Sequence, residues 1–218
     1  MATMNDLPLI TLPVPIALMR NGRWINNGPL SNMNPGQAVI RFRSVASHYV
    51  EPAYVAAKAP DAMVPQADAR LPAVPFHERV ATTEPRQAKT LGKPIARGGL
   101  VEPRPDWECV CIGAMASFLA QKFAAGTREA TWLVAQDPDS LHEWSNWRDA
   151  RWGLSFQDGD ATGTGRDALG LLLRIGRTRL VAGKNLPTAP EEKWADLQAS
   201  LIAEMVRLSS GSHRNPVD

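Results

Sequence analysis

Cysteine is scarce in this chain, with only Cys109 and Cys111 among 218 residues. They stand two apart in a stretch that reads as helix, so they point to different faces and cannot pair with each other. Two thiols alone do not make a zinc site. The four histidines (His48, His77, His142, His213) are scattered, with no HExxH and no Cys/His cluster. These absences predict a reduced, cytoplasmic protein without a structural metal or cofactor. Long apolar runs are missing too, so no transmembrane helix and no membrane association are expected. The first twenty residues contain Pro13 and Pro15 and have no basic stretch ahead of their apolar part. That argues against a signal peptide and for a short entry strand. Charge of one sign is not in excess either. A formal net charge of +2 is too small for wholesale coating of nucleic acid and compatible with a local basic groove.

What is present is ordinary for a globular protein, 44% hydrophobic and 21% charged, and long enough for one sizeable core. Residues 6–20 alternate Leu, Ile and Val between prolines, as an edge strand does. Asn21–Gly36 reads as tight turns, Ala38–Arg43 as a short strand, and Tyr49–Lys58 as a helix. Pro52 is tolerated only in its first turn, so the helix starts near Val50 or Glu51. Residues 59–84, rich in Pro and Ala, read as an irregular excursion with a short turn near Pro75–Val80. Thr83 is expected to cap a short helix ending at Gly92. Apolar residues at 107, 110, 111, 114, 115, 118, 119 and 123 mark the clearest helix of the first half. Residues 128–136 and Asp167–Leu180 read as helices. Thr188–Ala–Pro–Glu191 resembles a capping box for a last helix with Trp194, Leu197, Leu201, Met205 and Leu208 on one face. The sum is an α+β fold, helix-dominated, a single domain with a few short strands. Residues 1–183 form its body, and a C-terminal helix and tail, 184–218, pack on it.

The most unusual stretch is Glu143–Gly153. Trp144, Trp147 and Trp152 are interleaved there with Glu143, Arg148, Asp149 and Arg151. No helical or strand period collects the rings on one face. A flat π-surface beside a carboxylate suits a nucleobase or a cation-like sugar transition state, whereas rings that anchor a loop to the core would be buried. Glu51 and Lys58 are seven apart, two helical turns, and share a face. An acid and an amine facing one cavity can act as proton carrier and nucleophile; taken alone, the pair also fits a solvated face, as do Lys89 and Lys122. Residues 163–170 (GTGRDALG) have the look of a phosphate cradle ahead of a helix but lack the GxGxxG spacing.

Taken in order, these pieces resemble the NADAR family, the YbiA-like N-glycosidases. The Gly/Ser-Asn-Phe turn of that family is matched by Gly28, Pro29, Leu30, Ser31, Asn32 and Met33. Its VExAYxAxK helix is matched by Val50, Glu51, Ala53, Tyr54, Ala56 and Lys58. Pro85, Ala88, Lys89, Leu91 and Gly92 match the next segment, and Arg104, Asp106, Trp107, Met115, Lys122 and Phe123 the Arg-x-Asp-Trp helix. Then come Glu143, Trp147, Asp149, Trp152 and Gly153, and finally Gly165, Leu169, Gly170 and Arg177. The likeness spans roughly residues 28 to 180. The chain departs from the pattern at Met33, at Ala135–Gln136 and at Asp167, where the family has Asn; an acid there repels a phosphate.

The resemblance implies cleavage of an N-glycosidic bond on a ribose. The expected substrate is ADP-ribose attached to guanine, in a nucleotide or carried on DNA or RNA. The alternatives are a phosphoribosyl-pyrimidine intermediate of the riboflavin pathway, or an inactive module that binds ADP-ribose. No obligate protein partner is expected. Glu51, Lys58 and Asp149 take the catalytic roles: Glu51 as acid/base or charge stabiliser, Lys58 (with Lys89 as the other choice) forming a Schiff base with the ring-opened sugar, and Asp149 orienting hydroxyls. Ser31, Asn32, Tyr54, Lys89, Trp107, Trp147, Trp152, Gly153 and Gly165 are the expected substrate contacts, with Trp107 and Trp152 walling the base.

Overall fold

The N-terminal alternation becomes an edge strand, Ile10–Pro13 (β1), with Ile10 buried and Thr11 facing water. The fold is that of a computed structural model that describes residues 1–13, 19–20, 23–24, 30–43, 45–81, 83–145, 149–157 and 160–211. Gly28, Pro29, Trp147, Arg148 and His213 lie outside the described residues. Two small hairpins follow β1: Met19–Arg20 (β2) with Arg23–Trp24 (β3), and Ile40–Phe42 (β4) with Val45–Ser47 (β5).

The next helix, Val50–Ala57 (α1), begins where Pro52 requires. As the third helical residue, Pro52 lacks an N–H that would have had no intrahelical partner anyway. All of α1 except Glu51 is buried. The expected irregular excursion over 59–84 holds for residues 65–73, and the short turn expected near Pro75–Val80 is a helix. Met63–Val64 (β6) pairs antiparallel with Val74–Pro75 (β7), and Phe76–Ala81 (α2) packs on α1 through the fully buried Phe76 and Val80. Packing rather than propensity makes so short a helix, which is why composition hid it. Pro85–Leu91 (α3) follows. Its N-cap is Glu84; the Thr83 hydroxyl donates backward to the Val80 carbonyl. At its end Gly92 lies against Val55 so closely that a Cβ would stand 2.5 Å from Val55 Cγ1.

Trp107–Lys122 (α4) is the centre of the fold. Its pattern predicts one buried face, yet every residue from Val110 to Leu119 is buried. Helix α1 covers one side of it and Trp194–Gly211 (α7) another. Gly113 permits the α7 crossing: a Cβ there would lie 2.2 Å from the Trp194 carbonyl oxygen. The buried Gln198 of α7 accepts the Ile112 N–H and donates to the carbonyls of Glu108 and Ala2, so no polar atom of its amide is stranded. Trp194 stacks on Phe42 at 5.6 Å and meets Phe118 edge-on. The expected Thr188 capping box is absent. A short 3-10 turn, Glu191–Lys193, with Pro190 at its cap, leads into α7.

Between these helices lie Arg128–Val134 (α5), capped by the Thr127 hydroxyl, and three strands: Trp144–Ser145 (β8), Leu154–Ser155 (β9) and Thr162–Gly165 (β10). With β1 they form a sheet of order β1-β10-β9-β8, in which β8 and β9 run parallel and the other pairs antiparallel. Ala168–Val181 (α6) follows and stops before Gly183, at φ 69°. One apolar core runs from Met4 through α1, α4 and α6 to Met205 in α7, so the chain is α+β and its C-terminal helix belongs to the same core. Among the described residues no helix is long and apolar enough to cross a membrane, and no cluster of three metal-ligating side chains occurs.

Candidate active site

Helix α1 delivers Glu51, Tyr54 and Lys58 at spacings of three and seven, one face of a helix. Around that face the fold gathers Lys89 from α3, Trp107 from the first turn of α4, and Asp149 and Trp152 from the tryptophan-rich stretch. Tyr54 stands between the two rings, 5.1 Å from Trp107 and 5.5 Å from Trp152, edge-on to the latter. The Lys58 ammonium lies 5.6 Å from the Tyr54 ring centroid. Glu51 and Lys58 are both half-buried.

Burial dominates the electrostatics. It pushes the Glu51 carboxyl above the ordinary carboxylate range, with the Lys89 and Lys58 ammoniums opposing and Asp149 adding to the rise. The same desolvation, helped by Lys89, draws Lys58 below the usual lysine range, against the pull of Glu51 and Asp149. The carboxyl therefore holds its proton more readily, and the amine releases its proton more readily, than either would in water.

A second acid joins them. Glu143 is raised to about 7, first by burial, then by Asp167 and Asp149, with Lys89 opposing and Glu51 adding. It belongs to the stretch the sequence singles out but is missing from the expected site residues. The signal for it was there: it begins the same motif as Asp149, four residues before Trp147.

Asp149 is fixed by its own turn. Its Oδ1 accepts the N–H groups of Trp152 at 3.1 Å and Arg151 at 3.3 Å, and its N–H donates to the buried Ser145 hydroxyl. The turn then docks on α6, whose first free N–H groups, from Ala168 and Leu169, donate to the carbonyls of Arg151 and Trp152. That helix terminus is thus spent on protein backbone and is no phosphate cradle, and the GTG run is itself strand β10. Gly153 and Gly165 are glycines for packing. A Cβ on Gly165 would stand 1.9 Å from the Gly153 carbonyl oxygen, and one on Gly153 would stand 2.5 Å from that of Glu143. Trp144 packs in the sheet, against Gly163 and Phe156.

Ser31 and Asn32 form the turn facing the start of α1. The Asn32 carbonyl accepts the Glu51 N–H at 3.3 Å, and its side-chain amide donates to Met115 sulfur, leaving Oδ1 buried without a partner. Lys122, which by sequence fits a solvated face, is fully buried beneath this turn. Its ammonium donates to the Ser31 carbonyl at 2.6 Å and approaches that of Asn34 at 3.5 Å. Burial lowers it to about 8 against the pull of Glu129. The expected contact Trp147 lies outside the described residues, while Glu51, Lys58 and Asp149, the expected catalytic residues, lie in one region. Comparison with known protein families, curated proteins and solved structures finds no match.

Proposed function

We propose that the chain is an N-glycosidase that releases ADP-ribose from guanine, free or in nucleic acid, as the NADAR resemblance implies. One observation carries the reading. Glu51 and Lys58, seven residues apart, share one helical face, with their protonation preferences shifted in opposite senses, beside three aromatic rings. In this reading Glu51 gives its proton to the ribose ring oxygen, and the C1′–O bond opens to an iminium shared with the base nitrogen. The neutral Lys58 amine adds to C1′ and passes a proton to the Glu51 carboxylate; the C1′–N bond then breaks, its electron pair stays on the base nitrogen, and that nitrogen takes a proton from a carboxyl of the site. Water hydrolyses the resulting Schiff base, restoring the amine and the free sugar. Asp149 orients ribose hydroxyls, while Trp107 and Trp152 shelter the base and exclude water.

The test is incubation with ADP-ribosylated guanine DNA, with and without borohydride. Released ADP-ribose and a reduced covalent adduct on Lys58 are expected. A substrate that binds uncleaved would replace the reading with a binding module. Turnover confined to phosphoribosyl-pyrimidines would move it to small-metabolite hydrolysis, and turnover without any trapped adduct would remove the lysine from the mechanism.

A further inference from the structure

Asp167 is the most constrained ionisable side chain near the site. It is fully buried, caps α6 from the left-handed region at φ 49°, and bridges two consecutive residues. Its Oδ2 lies 2.5 Å from Nδ1 of His142, whose ring N–H donates, and its Oδ1 accepts the Glu143 backbone N–H at 2.9 Å. Gly170 makes room for this carboxylate, since a Cβ there would stand 2.4 Å from Oδ1. Glu143 is gripped from the other side as well. Its carbonyl accepts the Leu154 N–H at 2.7 Å, and its Cγ lies 2.9 Å from where a Cβ on Gly153 would be. The backbone of Glu143 is held at both its N–H and its carbonyl, and Gly153 leaves room for its side chain, so the carboxyl starts from a fixed backbone.

We propose that Asp167, braced by His142, is a positioning residue that presents Glu143 as the proton donor to the departing base. The proposal rests on the N-glycosidase reading above. The charged groups facing Glu143 are Asp167 at the α6 cap, Asp149 in its own segment, Glu51 on α1 and Lys89 on α3. Burial first, then the Asp167 and Asp149 carboxylates, keeps a proton on Glu143 up to about 7 against the Lys89 ammonium. As the C1′–N bond breaks, its electron pair stays on the base nitrogen and Glu143 gives that nitrogen its proton. The carboxylate so formed takes a proton from the water that hydrolyses the lysine adduct, which closes the cycle. An acid poised near neutrality is well matched to this transfer.

Asp167→Asn keeps the shape, the tolerance for the left-handed region and an acceptor for the Glu143 N–H; it removes the charge and sets an amide N–H opposite His142, which can accept it in its other tautomer. In carbon-13 carboxyl titrations of the whole protein, the Glu143 midpoint is expected to fall by about one pH unit. The alkaline limb of kcat on ribosyl-guanine should move down with it while KM holds. Glu143→Gln tests the donor role without touching Asp167: kcat should drop by about 10²-fold or more and the alkaline limb should change shape. An unmoved Glu143 midpoint in Asp167→Asn, or a wild-type rate in Glu143→Gln, overturns the proposal. The titration needs no substrate. A shifted midpoint in a protein that releases no base would therefore overturn the N-glycosidase reading while leaving the hold of Asp167 on Glu143 established.

Discussion

Replacing Lys122 by Met removes a charge from under the Ser31–Asn34 turn while keeping an unbranched chain of similar length. The structure sets the size of the effect. Lys122 is fully buried, and its folded-state value of about 8 lies below the ordinary 10.5 of an unfolded chain. Between those values the unfolded chain binds more protons than the folded one, so wild-type stability rises with pH across that window. Below about 8 the ammonium is charged in both states and its burial costs the full difference. Two and a half units correspond to about 3 kcal/mol, of which about 2.5 kcal/mol is recovered between pH 7 and pH 10. Lys122→Met has no such group. Its loss of the hydrogen bond to the Ser31 carbonyl costs about 1.5–3 kcal/mol near neutrality, a loss that the removed desolvation penalty partly offsets. Urea unfolding of both proteins at several pH values from 7 to 10 reads the difference directly, because other groups titrate alike in the two. The wild type should gain about 2.5 kcal/mol on the variant across that range. Parallel curves would refute the argument that this ammonium is buried and charged at neutral pH.

Glu51→Gln should lower kcat on ADP-ribosylated guanine by about 10²–10⁴-fold with an unchanged circular dichroism spectrum, since only the proton carrier is lost. Asp149→Asn keeps an acceptor for the Arg151 and Trp152 N–H groups, so the turn should survive while turnover falls by about tenfold or more. An unchanged rate would show that the site lies elsewhere. Gly165→Ala forces a Cβ to within 1.9 Å of the Gly153 carbonyl oxygen and should cost about 3 kcal/mol. In a chain of this size that lowers Tm by about 6–12 °C; an unshifted melting curve would contradict the close approach of β10 to Gly153.

Local rules suffice where a single residue type dictates the outcome. Pro52 located the start of α1, Gly92 and Gly183 the ends of α3 and α6, and the apolar spacing of residues 107–123 the central helix. They do not suffice where packing overrides propensity. In the Pro/Ala-rich segment 59–84 the turn expected near Pro75–Val80 is a full helix, with Phe76 and Val80 buried and α2 packed on α1. The GTG run looked like a phosphate loop, but its neighbours in space, the Trp144 ring and the Gly153 carbonyl, are what demand glycine and make it a strand.

The sequence by itself determined which face of α1 carries an acid, an aromatic ring and an amine, because a helical period places residues 51, 54 and 58 together without any knowledge of the rest. It also singled out Glu143–Gly153. Only the tertiary structure decided what these groups are chemically. Glu51 holds its proton more readily and Lys58 releases its own more readily than in water because α1 is buried, and Lys122 is a structural cation because the 31–34 turn closes over it. His142 and Asp167, twenty-five positions apart, became one bridge across Glu143 because the cap of α6 folds back onto that segment. Burial and distance in space fix a side chain's charge, and neither is written in local spacing.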